Sequence, residues 1–148
     1  MAETLGMLCD KLTIVKLKQY HSDDKERLKS LDQQALQLQQ EIDTYIAESI
    51  NGNIPPEKLT FAANKVFKLE GNETKEVTGN IGNVFSQLAD VNCRLWHEVE
   101  KGYDIENVPV KEKDILVKML AVLNLERNKC IDAIDAQFLN LITQSKTK

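Results

Sequence analysis

Apolar residues recur three and four positions apart along most of the chain, the spacing that gathers them on one face of an α-helix. Over about residues 3–20, Leu5, Leu8, Cys9, Leu12 and Val15 form one stripe and Met7, Ile14 and Leu17 a second, with no proline between them. A helix that is apolar on two sides belongs at the centre of a bundle. The run Ser22-Asp23-Asp24-Lys25-Glu26 predicts a stop and restart, with Asp23 as N-cap and Glu26 completing a capping-box-like pattern. A second helix then runs to about residue 50. Its seam of Leu28, Leu31, Ala35, Leu38, Ile42 and Tyr45 suits a coiled coil or an antiparallel hairpin, and the glutamines between them face water.

Asn51-Gly52-Asn53 followed by Pro55-Pro56 ends that helix. Residues 52–80 read as an irregular insertion, with a short helix at 57–65 and a small hairpin at 65–73 as its candidate elements. Periodicity resumes over about residues 81–101, where Phe85, Leu88, Leu95 and Val99 make the stripe and Gly102 stands where a C-terminal cap is wanted. Past a linker holding Pro109, a fourth helix is expected over about 111–143, with Leu116, Leu120, Leu123, Cys130, Ile134, Phe138 and Leu141 on its apolar side. The expected fold is therefore all-α: a single domain over 1–148, a bundle of about four long helices, and a frayed tail at 144–148 with a small solubilising charge from Lys146 and Lys148.

Charge narrows the partners. With 23 acids against 19 bases and a formal net charge of -4, the chain lacks the basic face that nucleic-acid binding needs. No apolar run is long enough to cross a bilayer, so no membrane partner is expected either. The first residues carry Glu3 and Asp10 in place of a basic-then-apolar leader, which points to the cytoplasm. Cys9, Cys93 and Cys130 fall on predicted helices among apolar neighbours, without metal-ligand spacing, and read as small hydrophobes. Neither a metal nor a cofactor is expected.

The informative residues are polar ones on apolar stripes. Arg127 stands between Leu123 and Cys130, and Asn124 borders the same stripe. Asn92 stands between Leu88 and Leu95, with Trp96 one turn on and Glu98 at the edge. On the first helix Lys16 falls inside the main apolar arc, Asp10 inside the second, and Lys11 beside it. Buried charge must be paired or hydrogen-bonded. Two arrangements satisfy this: a closed network that fixes register, or an open interhelical pocket. In the pocket Arg127 would grip a phosphate or carboxylate, Lys11 or Lys16 would add charge, Trp96 would stack on a ring, and Asn92 and Asn124 would read hydrogen-bonding edges.

Catalysis has weaker support. His21 and His97 are far apart in sequence, no nucleophile sits in a recognisable setting, and the carboxylate pair Asp132 and Asp135 lacks a partner motif. The segments Asp10-Lys11-Leu12-Thr13-Ile14, Asn92-Cys93-Arg94-Leu95-Trp96 and Asn124-Leu125-Glu126-Arg127 together resemble an uncharacterised family of small all-helical bacterial and phage proteins. Met7 departs from the glutamate of that pattern, and 52–80 lies outside it. The resemblance implies a helical fold and no activity. The leading expectation is a non-enzymatic, homo-oligomeric binding protein for a small anionic, nucleotide-like ligand, in a phage a sequestering protein of the host cytoplasm. The alternatives are a structural or protein-interaction bundle with a closed network, and an all-α metal-dependent phosphohydrolase using Glu98, Asp132 or Asp135.

Overall fold

A computed structural model describes residues 3–61 and 77–146. Four long helices account for most of them: α1 (Leu5–His21), α2 (Lys25–Ile50), α3 (Ile81–Tyr103) and α4 (Val110–Lys146). No strand occurs among the described residues. The expected all-α four-helix bundle is the architecture observed. The expected hairpin at 65–73 and the second half of the expected helix, 62–65, lie outside the described residues; over 57–61 the chain is not α-helical. A short 3₁₀ turn, Pro56–Lys58, opens that region.

Local chemistry sets the helix ends. The Thr4 hydroxyl accepts the Met7 N–H at 3.4 Å and caps α1. The cap of α2 is Asp24, accepting from Arg27 N at 3.1 Å, one residue later than the capping-box pattern predicts. Gly52 adopts φ 79° just past α2, a conformation a Cβ disfavours, and the Pro55-Pro56 step then prevents continuation. Gly102 does not cap α3: the helix passes through it and ends at Asp104, whose carboxylate accepts from Asn107 Nδ2 at 2.6 Å. The left-handed glycine of this part of the chain is Gly79, φ 99°, which turns the backbone into α3. Gln137 of α4 ties that turn down by donating to the Gly79 carbonyl at 2.7 Å.

Two hairpins make the bundle. The first joins α1 and α2 through the three residues 22–24, and the second joins α3 and α4 through 104–109. Helix α1, apolar on two sides, packs against each of the other three, while α2 packs chiefly on α1. Contacts of Gly6 with Asp135 and of Asp10 with Arg127 run α1 antiparallel to α4, and contacts of Asp10 with Asn92 and of His21 with Trp96 run it parallel to α3. The larger core cluster sets Leu5 and Cys9 against Val84, Leu88, Cys130, Ile134 and Phe138. A second, between the first two helices, holds Leu8, Val15, Leu31, Ala35 and Leu38. Leu59 is fully buried in the first, and burying such a side chain contributes about 2 kcal/mol toward holding the segment after α2 in place.

The expected stripes need three adjustments. On α4 Ile142 is buried and Leu141 exposed, so the apolar face has rotated by one residue at that end. On α3 Val84, Leu88 and Val91 form the buried line, with Phe85, Leu95 and Val99 half-buried at its flanks. Cys93 is exposed, unlike Cys9 and Cys130, because it sits a third of a helical turn beyond Asn92 on the side away from α1.

Candidate functional site

The polar group at the bundle's centre is built on Asp10. Thr4 starts α1 so that Asp10 falls about one and a half turns in, on the side facing α3 and α4, and its residue is only 4% exposed. Arg127 of α4 meets it with a two-pronged contact: Nε donates to Oδ1 at 2.9 Å and Nη2 donates to Oδ2 at 2.5 Å. Such paired, charge-assisted bonds are the strong geometry for a guanidinium and a carboxylate. From α3, Asn92 Nδ2 donates to Asp10 Oδ1 at 2.9 Å and to Thr13 Oγ1 at 2.7 Å. The Thr13 hydroxyl in turn donates to the Asp10 carbonyl at 2.7 Å. Three helices are thereby locked in register around one carboxylate.

Beside this network lies a cavity of about 220 Å³. Ile14 of α1, Trp96, Val99 and Glu100 of α3, and the edges of Asn92 and Arg127 line it. Two polar atoms in its wall residues are buried without a hydrogen-bond partner: Asn92 Oδ1 and Trp96 Nε1. Each such atom costs about 1–3 kcal/mol relative to a satisfied one. The indole of Trp96 stacks on the His21 imidazole, with centroids 4.9 Å apart and planes 11° from parallel. One face of the ring is therefore covered by the protein's own histidine and is not open for stacking on a ligand.

Asp10, Asn92 and Arg127 are brought together, with Trp96 alongside; the remaining expected site residues are elsewhere. Lys11 is exposed and pairs with Glu3. Lys16 is exposed too: the buried arc of α1 ends at Val15, and the next residue, 100° round the helix, is already in water. Asn124 faces outward, since the core side of α4 passes through Leu123, Arg127 and Cys130. Glu98 pairs with Lys101 at 3.1 Å near the end of α3.

Sequence reasoning missed a second polar anchor, about one turn back along α1 and two turns on along α4. Asp135 of α4, 3% exposed, accepts from the Gly6 N–H at 2.7 Å and is hydrogen-bonded by Thr4, so a carboxylate closes the N-terminus of α1. Burial pushes its acid up to about 6; the Thr4 and Gly6 bonds pull the other way, and the nearby Asp132 adds to the rise. Thr13 was also missed, although its place one turn after Asp10 was a usable signal. Burial first, with help from Asp135 and Asp10, pushes the Cys9 thiol up to about 12, and burial with Glu126 pushes Cys130 to about 11. Neither is a thiolate at neutral pH.

The carboxylates named for a phosphohydrolase are not assembled. Glu98 pairs near the C-terminus of α3, whereas Asp135 sits at the N-terminus of α1. Among the described residues no group of three or more His, Cys, Asp or Glu side chains is placed to hold a metal ion. No helix of the described residues is long and apolar enough to cross a membrane. Fold and site together define a four-helix bundle centred on a buried carboxylate–guanidinium–carboxamide network. The chain matches no family model, no curated protein and no solved structure.

Proposed function

We propose that the protein is a non-enzymatic binding protein that captures a small, nucleotide-like ligand in the cavity between α1, α3 and α4. The observation that carries this reading is Asn92, 1% exposed, a residue that lines an interhelical cavity and whose buried Oδ1 has no hydrogen-bond partner. A buried acceptor without a partner, on a residue that lines a cavity, is the mark of a ligand site, and bundle interiors are common places for one. Arg127 adds a polar edge: its Nε and Nη2 are held by Asp10, which leaves Nη1 as the part of the guanidinium able to meet an acceptor at the cavity mouth.

A structural reading is favoured by a different observation, the pair of hydrogen bonds that Arg127 donates to Asp10. In that reading the network only fixes helix register, and the cavity is a packing gap. Thermal denaturation separates the two. A binder gains stability that grows with ligand concentration, about 2.7 kcal/mol at a hundredfold excess over Kd. Screening nucleosides, nucleotides and inorganic phosphate should raise the melting temperature in that graded way, and Arg127→Met should weaken the gain. If no ligand shifts the transition and Arg127→Met destabilises the unliganded protein, the site is structural.

A further inference from the structure

The two unpartnered atoms differ in kind. Asn92 Oδ1 can only accept a hydrogen bond and Trp96 Nε1 can only donate one. The residues lie four apart on α3, so both belong to the same face of the helix. Nor can the carboxamide exchange its ends. Its Nδ2 is committed to the Asp10 carboxylate and to Thr13, and turning it over would set oxygen against carboxylate oxygen. The acceptor is therefore fixed.

An ionised phosphate fits this wall poorly. As a monoester dianion it has no proton to give Asn92 Oδ1, in any ionised form it adds negative charge beside Glu100, and the Arg127 charge is already balanced by Asp10. Of the remaining wall, Ile14, Leu95, Val99 and the indole are apolar, and Tyr103 adds a neutral phenol rather than a cation. At about 220 Å³ the space is smaller than the roughly 300–1,000 Å³ of typical drug-sized sites, room for a ring system rather than a dinucleotide.

Resting on the binding role above, we propose that the cavity takes a neutral heteroaromatic ring of the nucleobase class. One edge of the ring gives an N–H to Asn92 Oδ1 and offers a ring nitrogen or carbonyl to Trp96 Nε1. Any sugar or phosphate stays outside, and recognition comes from the base. Both atoms are also shut off from water, so seating the ring requires the Trp96 side chain to shift against His21. Trp96 is the only tryptophan of the chain, so its emission reports the event directly.

The test titrates the full chain with adenosine, guanosine, cytidine and uridine, with their 5′-monophosphates, and with ribose 5-phosphate and inorganic phosphate. Tryptophan emission and melting temperature are followed together. At least one nucleoside should change both saturably, its monophosphate should bind within about threefold of it, and the two base-free phosphates should do nothing. Trp96→Phe keeps an aromatic ring and removes the N–H; by equilibrium dialysis it should bind that nucleoside about tenfold more weakly, the equivalent of one lost hydrogen bond. If monophosphates or phosphate bind and nucleosides do not, the inference is overturned while the binding role stands. If nothing in the panel binds, both fall.

Discussion

Helices α1 and α4 meet through two buried carboxylates, and the two are stabilised in different ways. Asp10 reaches from α1 toward α4 and is met by a formal cation, Arg127, through two directed bonds. Asp135 reaches from α4 toward α1 and is met by dipoles: the Gly6 N–H, the Thr4 hydroxyl and the positive end of a helix. A full charge can compensate a desolvated carboxylate when the geometry is good, whereas a helix end supplies about half a charge spread over several N–H groups. That difference predicts which anchor fails under mutation and which under a change of pH.

The largest effect is expected at the first anchor. Arg127→Ala leaves Asp10 buried and without its cation, and losing one partner of a buried pair costs about 3–5 kcal/mol. Asp10→Ala should cost less, because the Arg127 side chain is 33% exposed and can turn toward water, while that of Asp10 is 5% exposed. Urea denaturation of both variants measures the order directly. Should Asp10→Ala prove the more damaging, Arg127 is less able to reach water than its exposure implies.

The second anchor should respond to pH. The Asp135 acid lies near 3.8 in the unfolded chain and about 6 in the folded one, so the folded state prefers it protonated. Its contribution to stability is then complete below pH 3.8 and is lost as the pH rises through about 6. The loss is on the order of 2–3 kcal/mol. Asp135→Asn keeps an acceptor for Gly6 and cannot ionise. The difference in unfolding free energy between parent and variant should therefore change across that window and be flat above it. A difference that stays constant from pH 3.5 to 7 would show that the burial of Asp135 does not bear on its ionisation.

The same contrast explains what was legible in the sequence. Asp10, Asn92 and Arg127 each interrupt an apolar stripe with a large polar group, so periodicity alone marked them as buried and in need of partners. Asp135 follows Ile134 and is paired in sequence with Asp132, so it read as half of a carboxylate pair without a partner motif and not as a buried anchor. What buries it is Gly6, which lets α1 come close to α4, and a close approach between distant segments leaves no periodic trace. Lys16 and Asn124 failed in the opposite way. Both sit beside a stripe, and a stripe's edge cannot be placed to better than one residue without knowing the neighbouring helix. The helices themselves were legible to within a few residues because their length averages out such errors. The cap positions were not, since Asp23 and Asp24 carry the same side chain and only the observed bond to Arg27 N decides between them.

Glycine substitutions sharpen the comparison at its smallest scale. A Cβ on Gly6 would lie 2.5 Å from the Ile131 carbonyl oxygen and 2.9 Å from Asp135 Oδ1. The first of these is backbone of a 37-residue helix and cannot give way locally, so α1 must back off from α4 and lengthen the Gly6 bond to Asp135. Overpacking of this kind costs about 1–3 kcal/mol, against which alanine returns somewhat under 1 kcal/mol of helix propensity. Gly6→Ala should therefore destabilise, by up to about 2 kcal/mol. Gly102 also lies within a helix, but a Cβ there meets nothing within 4 Å. With propensity acting alone, Gly102→Ala should stabilise by about 0.5–1 kcal/mol. Opposite signs for the two substitutions in one thermal-denaturation series would identify Gly6 as the close approach that sets Asp135 on the end of α1. Equal signs would mean that α1 and α4 can separate there at little cost.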